Sequence, residues 1–128
     1  MAQPLKIERL RKRPEFLAVA KGASCARGAV VVQALQRPDA PALIRAGFTA
    51  SRKVGGAVVR NRAKRRLREA VRRLLPLHGC AGWDYVFIAR GGTATRSWPR
   101  LLDDVKSALV SLAAPQAPAA NAPAAAFR

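Results

Sequence analysis

The chain has 128 residues, and its 24 lysines and arginines outnumber 7 aspartates and glutamates, giving a formal net charge of +17. This length suits one domain with a modest core, and the basic excess indicates an acidic partner, with nucleic acid first and an anionic membrane surface second. No apolar run approaches the ~20 residues that span a bilayer, and two cysteines make no disulfide framework. Because the N-terminus also has no apolar segment of signal-peptide length, the cytoplasm is the expected compartment.

The first half of the chain predicts one helix and two strands. Residues 1–8 are short and polar, and Pro14 and Glu15 then suit the first turn of a helix that ends near residues 21–22. The aromatic side chain of this helix, Phe16, can serve the core, a binding cleft or both. β-branched runs predict strands over 28–35 and 43–51, and the short loop between them predicts an antiparallel hairpin.

A basic helix dominates the middle of the chain. Gly55 and Gly56 open it and Pro76 closes it, since glycine is an acceptable N-cap and proline cannot continue a helix. Apolar residues recur every three or four positions and form one buried stripe: Val59, Ala63, Leu67, Ala70, Val71 and Leu74. Residues 52–73 hold ten lysines and arginines against one acid, Glu69. A solvated face is the ordinary explanation of a charge run, but this much like-charge repulsion favours a polyanionic partner.

The C-terminal part predicts a strand over 83–90, a flexible loop over 91–96 and a helix capped by Ser97. That helix has its own apolar stripe: Leu101, Leu102, Val105, Ala108, Leu109 and Leu112. The Ala- and Pro-rich residues 113–128 have no periodicity and predict a disordered tail. We therefore expect one α+β domain over 1–112, a small sheet with helices in the order α-β-β-α-β-α.

Candidate catalytic groups are scarce. The single histidine, His78, lies in a predicted loop, and the acids have no metal-ligand spacing. Asp103 and Asp104 are adjacent on a helix, so they diverge by ~100° and are best explained as favourable charges near its N-terminus. The sequence therefore predicts no catalytic residue and no metal site in the protein itself.

Residues 52–69 read RKVGGAVVRNRAKRRLRE, and this motif resembles the signature of the protein subunit of bacterial ribonuclease P, whose short form Arg-Asn-Arg is 60–62 here. The resemblance extends over about residues 5–112, through Phe16, the 45–49 strand and the 84–90 strand. It implies a sandwich like that of ribosomal protein S5 domain 2, with a left-handed β-α-β crossover. Gly56 departs from the family pattern, which usually has asparagine, and Ala20 and Ala34 replace aromatics that some members carry.

The resemblance also implies a division of labour. In that family the catalytic RNA subunit, with Mg²⁺ bound mainly by the RNA, removes the 5′ leader of precursor tRNA. The protein docks on the RNA, favours Mg²⁺ binding, broadens the substrate range and holds the single-stranded leader. The residues expected to bind RNA are Arg52, Lys53, Arg60, Asn61, Arg62, Lys64, Arg65, Arg68 and Arg72. Those expected to line the leader cleft are Phe16, Arg45 and Phe48.

Two other classes of protein share this composition. A structural RNA-binding protein, for example of the ribosome, could use the same basic helix without a role in catalysis. A DNA-binding or membrane-surface module is the third interpretation. The motif does not resemble a helix-turn-helix, and the apolar stripe lacks the aromatic anchors of a membrane helix, so neither DNA nor membrane is an expected partner.

Overall fold

The computed structural model describes residues 6–37 and 43–113, which form a five-stranded sheet with helices on both faces. The strands are β1 Lys6–Arg9, β2 Ala23–Arg27, β3 Val30–Gln36, β4 Leu43–Ala50 and β5 Trp83–Ala89. The α-helices are α1 Arg13–Ala20, α2 Ala57–His78 and α3 Trp98–Ala113, and a single 3₁₀ turn, Arg52–Val54, precedes α2. The predicted α+β class is thus confirmed. Of the predicted tail, the structure describes Ala113, the last residue of α3.

The sheet order is β1-β4-β5-β3-β2, and it contradicts the predicted hairpin of β3 with β4. β5 lies between these two strands, antiparallel to β3 and parallel to β4. Phe87 in β5 consequently pairs with Val32 on one side and Phe48 on the other. Because β4 and β5 are adjacent and parallel, the basic helix α2 is the crossover of a β-α-β unit.

Two short strands, β1 and β2, were not predicted from the sequence. β1 pairs in parallel with β4 at one edge, although all four of its residues are exposed. β2 pairs antiparallel with β3 at the other edge. Neither strand has the alternating apolar pattern of a half-buried strand, so backbone pairing alone defines them.

The sheet separates two apolar clusters of unequal size. The main core lies between the sheet and the helices α2 and α3, whose buried stripes meet Val32, Ile44 and Phe87. A smaller cluster on the opposite face joins Leu10, Val19 and Val86, with Phe16 packed against it. α1 covers this second face only in part, which leaves room beside it.

Helix α2 continues past Pro76, which was expected to end it, and stops at His78. Pro76 lies in the last turn and its side chain is exposed, so its ring removes one backbone hydrogen bond without distorting a packed segment. The backbone N–H of Gly79 then donates to the carbonyl of Leu75 at 2.7 Å and closes the helix. Leu75 is fully buried and extends the predicted stripe by one residue, whereas Val59 at the helix start is exposed.

The 91–96 segment, predicted to be flexible, is an ordered turn. Thr93 is fully buried, and its hydroxyl donates to the carbonyl of Ala29 at 2.6 Å and accepts from the N–H of Arg90 at 2.9 Å. Asp104 is buried as well: it accepts from the N–H of Ala29 at 3.0 Å and pairs with Arg96. Its role is therefore to join α3 to the β2–β3 turn, not to sit as a free charge near a helix end.

Both cysteines are free thiols, Cys25 buried and Cys80 half-buried. Across residues 6–37 and 43–113, no helix is long and apolar enough to cross a membrane.

Candidate nucleic-acid interface

The residues predicted to bind RNA all lie on α2 and the 3₁₀ turn before it. Exposed side chains are Arg52, Lys53, Asn61, Arg62, Arg65 and Arg72, and half-buried ones are Arg60, Lys64 and Arg68. At 100° per residue, Asn61, Arg65 and Arg72 lie opposite the buried stripe. Arg68 lies on the flank that faces β1 and β4, and helical geometry places Lys64 on the same flank one turn before it. These residues form one basic surface along the helix, called here the α2 surface.

The start of α2 depends on the two glycines. Gly55 has φ = 148°, a conformation that side chains rarely adopt, and an added Cβ would lie 2.9 Å from the Cβ of Val59. Gly56 is the N-cap residue, and its carbonyl accepts from the N–H of Arg60 at 2.9 Å. A Gly-Gly pair thus turns the chain from the 3₁₀ turn into the helix without a side-chain cap.

Little negative charge offsets the α2 surface. Glu69 is the one acid within α2, and it accepts from Arg72 at 2.6 Å and from Arg73 at 3.1 Å. The hydrogen bond from Arg72, followed by that from Arg73, lowers the pKa of the Glu69 carboxyl. Because Glu69 pairs with Arg72 and Arg73, it does not neutralise Arg65 and Arg68, and anionic ligands meet a positive ridge there.

Arg66 has a structural role instead. Its guanidinium donates to the carbonyls of Thr93 and Arg96, and so fixes the ordered turn against α2. Burial, followed by the nearby charge of Arg62, lowers the pKa of the Arg66 guanidinium. At 100° per residue Arg66 lies near the edge of the buried stripe, and this position explains why it reaches protein carbonyls rather than solvent.

A groove runs along each flank of α2. One, of about 450 Å³, lies between α2 and the edge of the sheet, with Phe48, Arg68 and Arg72 among its walls. The other, of about 550 Å³, lies between α2 and the start of α3, where Trp98 faces Arg66 and Arg73. Sequence analysis missed Trp98; its only signal was an aromatic residue next to the predicted cap Ser97.

The three residues predicted to line the leader cleft do not lie together. Phe16 and Arg45 are on the α1 face of the sheet, whereas Phe48 points to the opposite face and stacks on Phe87, with ring centroids 5.6 Å apart. Strand alternation causes this separation, because neighbouring positions in β4 point to opposite faces. Phe48 therefore belongs to the groove beside α2, and the predicted cleft of three residues is wrong in this respect.

Phe16 is half-buried on the α1 face of the sheet and packs against the smaller apolar cluster. Its ring covers Gly47, where an added Cβ would come within 2.5 Å of the Phe16 ring. The same face of the sheet carries half-buried side chains, and this partly covered surface is called here the Phe16 cleft: Val31, Gln33, Thr49 and Ile88. Gly47 thus makes room for the aromatic ring, which packs on the small cluster and borders the Phe16 cleft.

Arg45 is held by two carboxylates. It donates to Asp84 at 2.6 and 2.8 Å and to Glu15 at 2.7 Å, and Asp84 also accepts from Arg37 at 2.6 Å. The hydrogen bond to Asp84 is the main reason that the pKa of Arg45 is raised. The Arg45 guanidinium therefore ties α1 to the sheet and offers little free donor capacity to a ligand in the cleft.

Within residues 6–37 and 43–113, no group of three or more His, Cys, Asp or Glu side chains could hold a metal ion.

Comparisons with known proteins agree with the fold and the motif. The family model described as Ribonuclease P matches residues 5–113. The ribonuclease P protein component of Caulobacter vibrioides is 66% identical over 110 residues, covering 86% of this chain and 74% of that protein. The component from Ruegeria pomeroyi is 53% identical, with 84% and 87% covered.

Solved structures extend the agreement to the fold. The RNase P protein from Thermotoga maritima superposes with a TM-score of 0.69 at 28% sequence identity, covering 81% of this chain and 96% of that one. The chain belongs to the family of ribonuclease P protein components.

Proposed function

We propose that this chain assists a catalytic RNA subunit in the endonucleolytic removal of the 5′ leader from precursor tRNA. The protein docks on the RNA through the α2 surface and contacts the single-stranded leader through the cleft beside Phe16. Cleavage and Mg²⁺ binding belong mainly to the RNA, and the docked protein favours metal binding there and broadens the range of substrates.

The observation that carries the docking step is the continuous charge of the α2 surface. Arginine and lysine side chains cover both the ridge opposite the buried stripe and the flank facing β1. Guanidinium groups give bidentate contacts to phosphates, and Asn61 can address a phosphate, a 2′-hydroxyl or a hydrated metal ion. Repulsion within this surface falls when a polyanion binds, so the free protein is prepared for RNA.

The second contact is supported by the α1 face of the sheet. Phe16 offers an aromatic ring next to half-buried Val31, Gln33 and Ile88, which suits unpaired bases rather than a duplex. This cleft and the α2 surface are separate regions, because α2 packs against the opposite face of the sheet. One protein can therefore hold two parts of an RNA assembly at once.

The docking step is tested by charge removal on the ridge. Replacing Arg65 and Arg68 with alanine spares the core and should weaken binding to the ribonuclease P RNA, lowering the slope of log K against log salt by about one per lost phosphate contact. A matched control replaces Arg100 and Lys106, exposed cations of α3, and removes the same charge. Filter binding across a salt series measures both. Equal losses for the two double variants would contradict docking through α2, since they would reflect net charge alone.

A further inference from the structure

We propose that the groove between α2 and the start of α3, here called the Trp98 groove, binds an unpaired RNA nucleotide whose base stacks on Trp98. This inference rests on the proposed function in one respect, that the protein's ligand is RNA. It assigns to the second flank of α2 a contact that shares Arg65, Arg68 and Arg72 with the α2 surface and adds an aromatic ring, and that is separate from the Phe16 cleft.

The geometry joins an aromatic ring to several cations. Trp98 is the first residue of α3 and is half-buried, and the guanidinium carbons of Arg66 and Arg73 lie 5.8 and 5.6 Å from its ring centroid. The remaining walls are Arg65, Arg68, Glu69 and Arg72. At about 550 Å³ the groove is within the size range of small-ligand sites.

The two arginines beside Trp98 differ in how firmly they are held. Arg66 donates to the carbonyls of Thr93 and Arg96, so it supports the ring from the protein side. Arg73 has a side chain that is 57% exposed, and its ion pair is with Glu69, which it shares with Arg72. Exposed ion pairs of this kind are weak and are easily exchanged. Arg73 and Arg72 can therefore turn to a phosphate while Arg66 keeps the indole in place.

The chemistry favours an unpaired nucleotide over other anions. Five arginines and one glutamate select a polyanion, and the indole ring adds a surface for stacking that a carboxylate-rich peptide cannot use. Bases in a duplex are already stacked and present only their edges. A single-stranded or flipped-out nucleotide supplies both a free base and a phosphate.

Intrinsic fluorescence tests the stacking directly, because Trp98 can be made the sole tryptophan. Trp83→Phe removes the other one and keeps an aromatic ring beside Tyr85. Titration of this full-length variant with an eight-nucleotide oligoadenylate should quench Trp98 saturably, and added salt should weaken the effect. An RNA duplex of equal length and an eight-residue oligoglutamate should leave the emission nearly unchanged. The inference is overturned if oligoadenylate does not quench, or if oligoglutamate quenches as strongly.

Substitution of the ring gives a second, independent readout. Trp98→Leu should lower affinity for the oligoadenylate roughly tenfold, while Trp98→Phe should restore most of it. A thermal melt of each variant shows whether it is folded, and the quenching experiment stands even where Trp98→Leu is unstable. If the Arg65 and Arg68 double variant loses binding to the ribonuclease P RNA but Trp98→Leu binds oligoadenylate normally, this inference alone fails. If Trp98 is quenched as expected but the arginine pair has no specific effect, docking through the α2 surface fails instead.

Discussion

Phe16 shows how one side chain can serve packing and recognition together. Its ring packs on the small cluster of Leu10, Val19 and Val86, yet part of it borders the open cleft. Phe16→Ala should therefore weaken affinity for leader-bearing precursor tRNA while mature tRNA binding changes little, since a stacked base contributes about 1–3 kcal/mol. Leu17→Ala is the matched control, because Leu17 is its neighbour in α1 and 51% exposed.

A thermal melt must accompany these affinities. If Phe16 acted only in the core, its truncation would lower the free energy of unfolding by up to about 3–5 kcal/mol and both tRNAs would bind less well as the protein melts. Equal weakening of precursor and mature tRNA by a fully folded Phe16→Ala protein would remove the leader cleft from the proposed function and leave the α2 surface unaffected.

Glu15 gives the fold a dependence on pH. The N–H of Lys12 donates to its carboxyl, and this bond, with smaller help from Arg11 and Arg45, lowers the pKa of Glu15 from 4.5. Because the pKa of this carboxyl is lower in the folded state than in the unfolded state, its charge stabilises the fold at a pH above the unfolded-state pKa. That stabilisation is lost as the pH falls through the folded-state pKa. Native protein should thus melt above Glu15→Gln at pH 7, and the difference should shrink below about pH 4.5. A constant difference from pH 7 to pH 3 would show that the carboxylate charge contributes nothing.

At the scale of elements, Asp104 is the link that holds α3 to the sheet. Its buried carboxylate accepts from the N–H of Ala29 and pairs with Arg96, and Gly28 leaves space for it. Breaking a buried ion pair costs about 3–5 kcal/mol, so Asp104→Asn should lower the free energy of unfolding by an amount near the lower end. Asp103→Asn is the control, because Asp103 is the exposed neighbour on the same helix. Urea denaturation compares the two, and similar losses for both variants would contradict the link.

Elements with a strong local pattern were predictable, and those defined by distant pairing were not. α2 and α3 have helical apolar stripes, and β5 has a run of aromatic and β-branched residues, so each was found within a few positions. β1 and β2 carry no such run and exist because β4 and β3 offer open edges. The β3–β4 hairpin was wrong because β5, which follows 22 residues of α2, takes the place between them. The local sequence of β3 and β4 contains no signal that β5 lies between them.

The same distinction between local pattern and distant pairing applies to the candidate site. The positions of the basic side chains on α2 were predictable, because helical periodicity decides which of them face away from the core, although Arg60, Lys64 and Arg68 are half-buried. The cleft was predicted in part: Phe16 was found, but Phe48 went to the other face and Arg45 to an ion pair with Asp84. Trp98 was missed because its partners, Arg66 and Arg73, come from another helix. Contacts within an element follow from its period, while contacts between elements need the topology.

Across the whole molecule, basic charge is concentrated where the fold places α2. Residues 1–75 carry 19 of the 24 lysines and arginines, and residues 76–128 carry five. The two buried acids, Asp84 and Asp104, form ion pairs with arginines, and these pairs join separate elements of the fold. Most arginines of α2 make no such link and face solvent, so the charge proposed to bind RNA and the charge that holds the fold are largely separate sets.

That separation predicts how the chain responds to shortening from its C-terminus. Residues 114–128 are Ala- and Pro-rich with one charge, Arg128, so removing them should leave both the melting temperature and the salt dependence of RNA binding nearly unchanged. Ending the chain after Ser107 should behave differently. It removes Leu109 and Leu112 from the main core, and loss of one buried leucine side chain alone costs about 2–5 kcal/mol. Calorimetry and filter binding on the two truncated proteins separate these effects. A marked fall in melting temperature on removing residues 114–128 alone would show that this segment packs against the domain, and the boundary of the folded unit would then lie beyond α3.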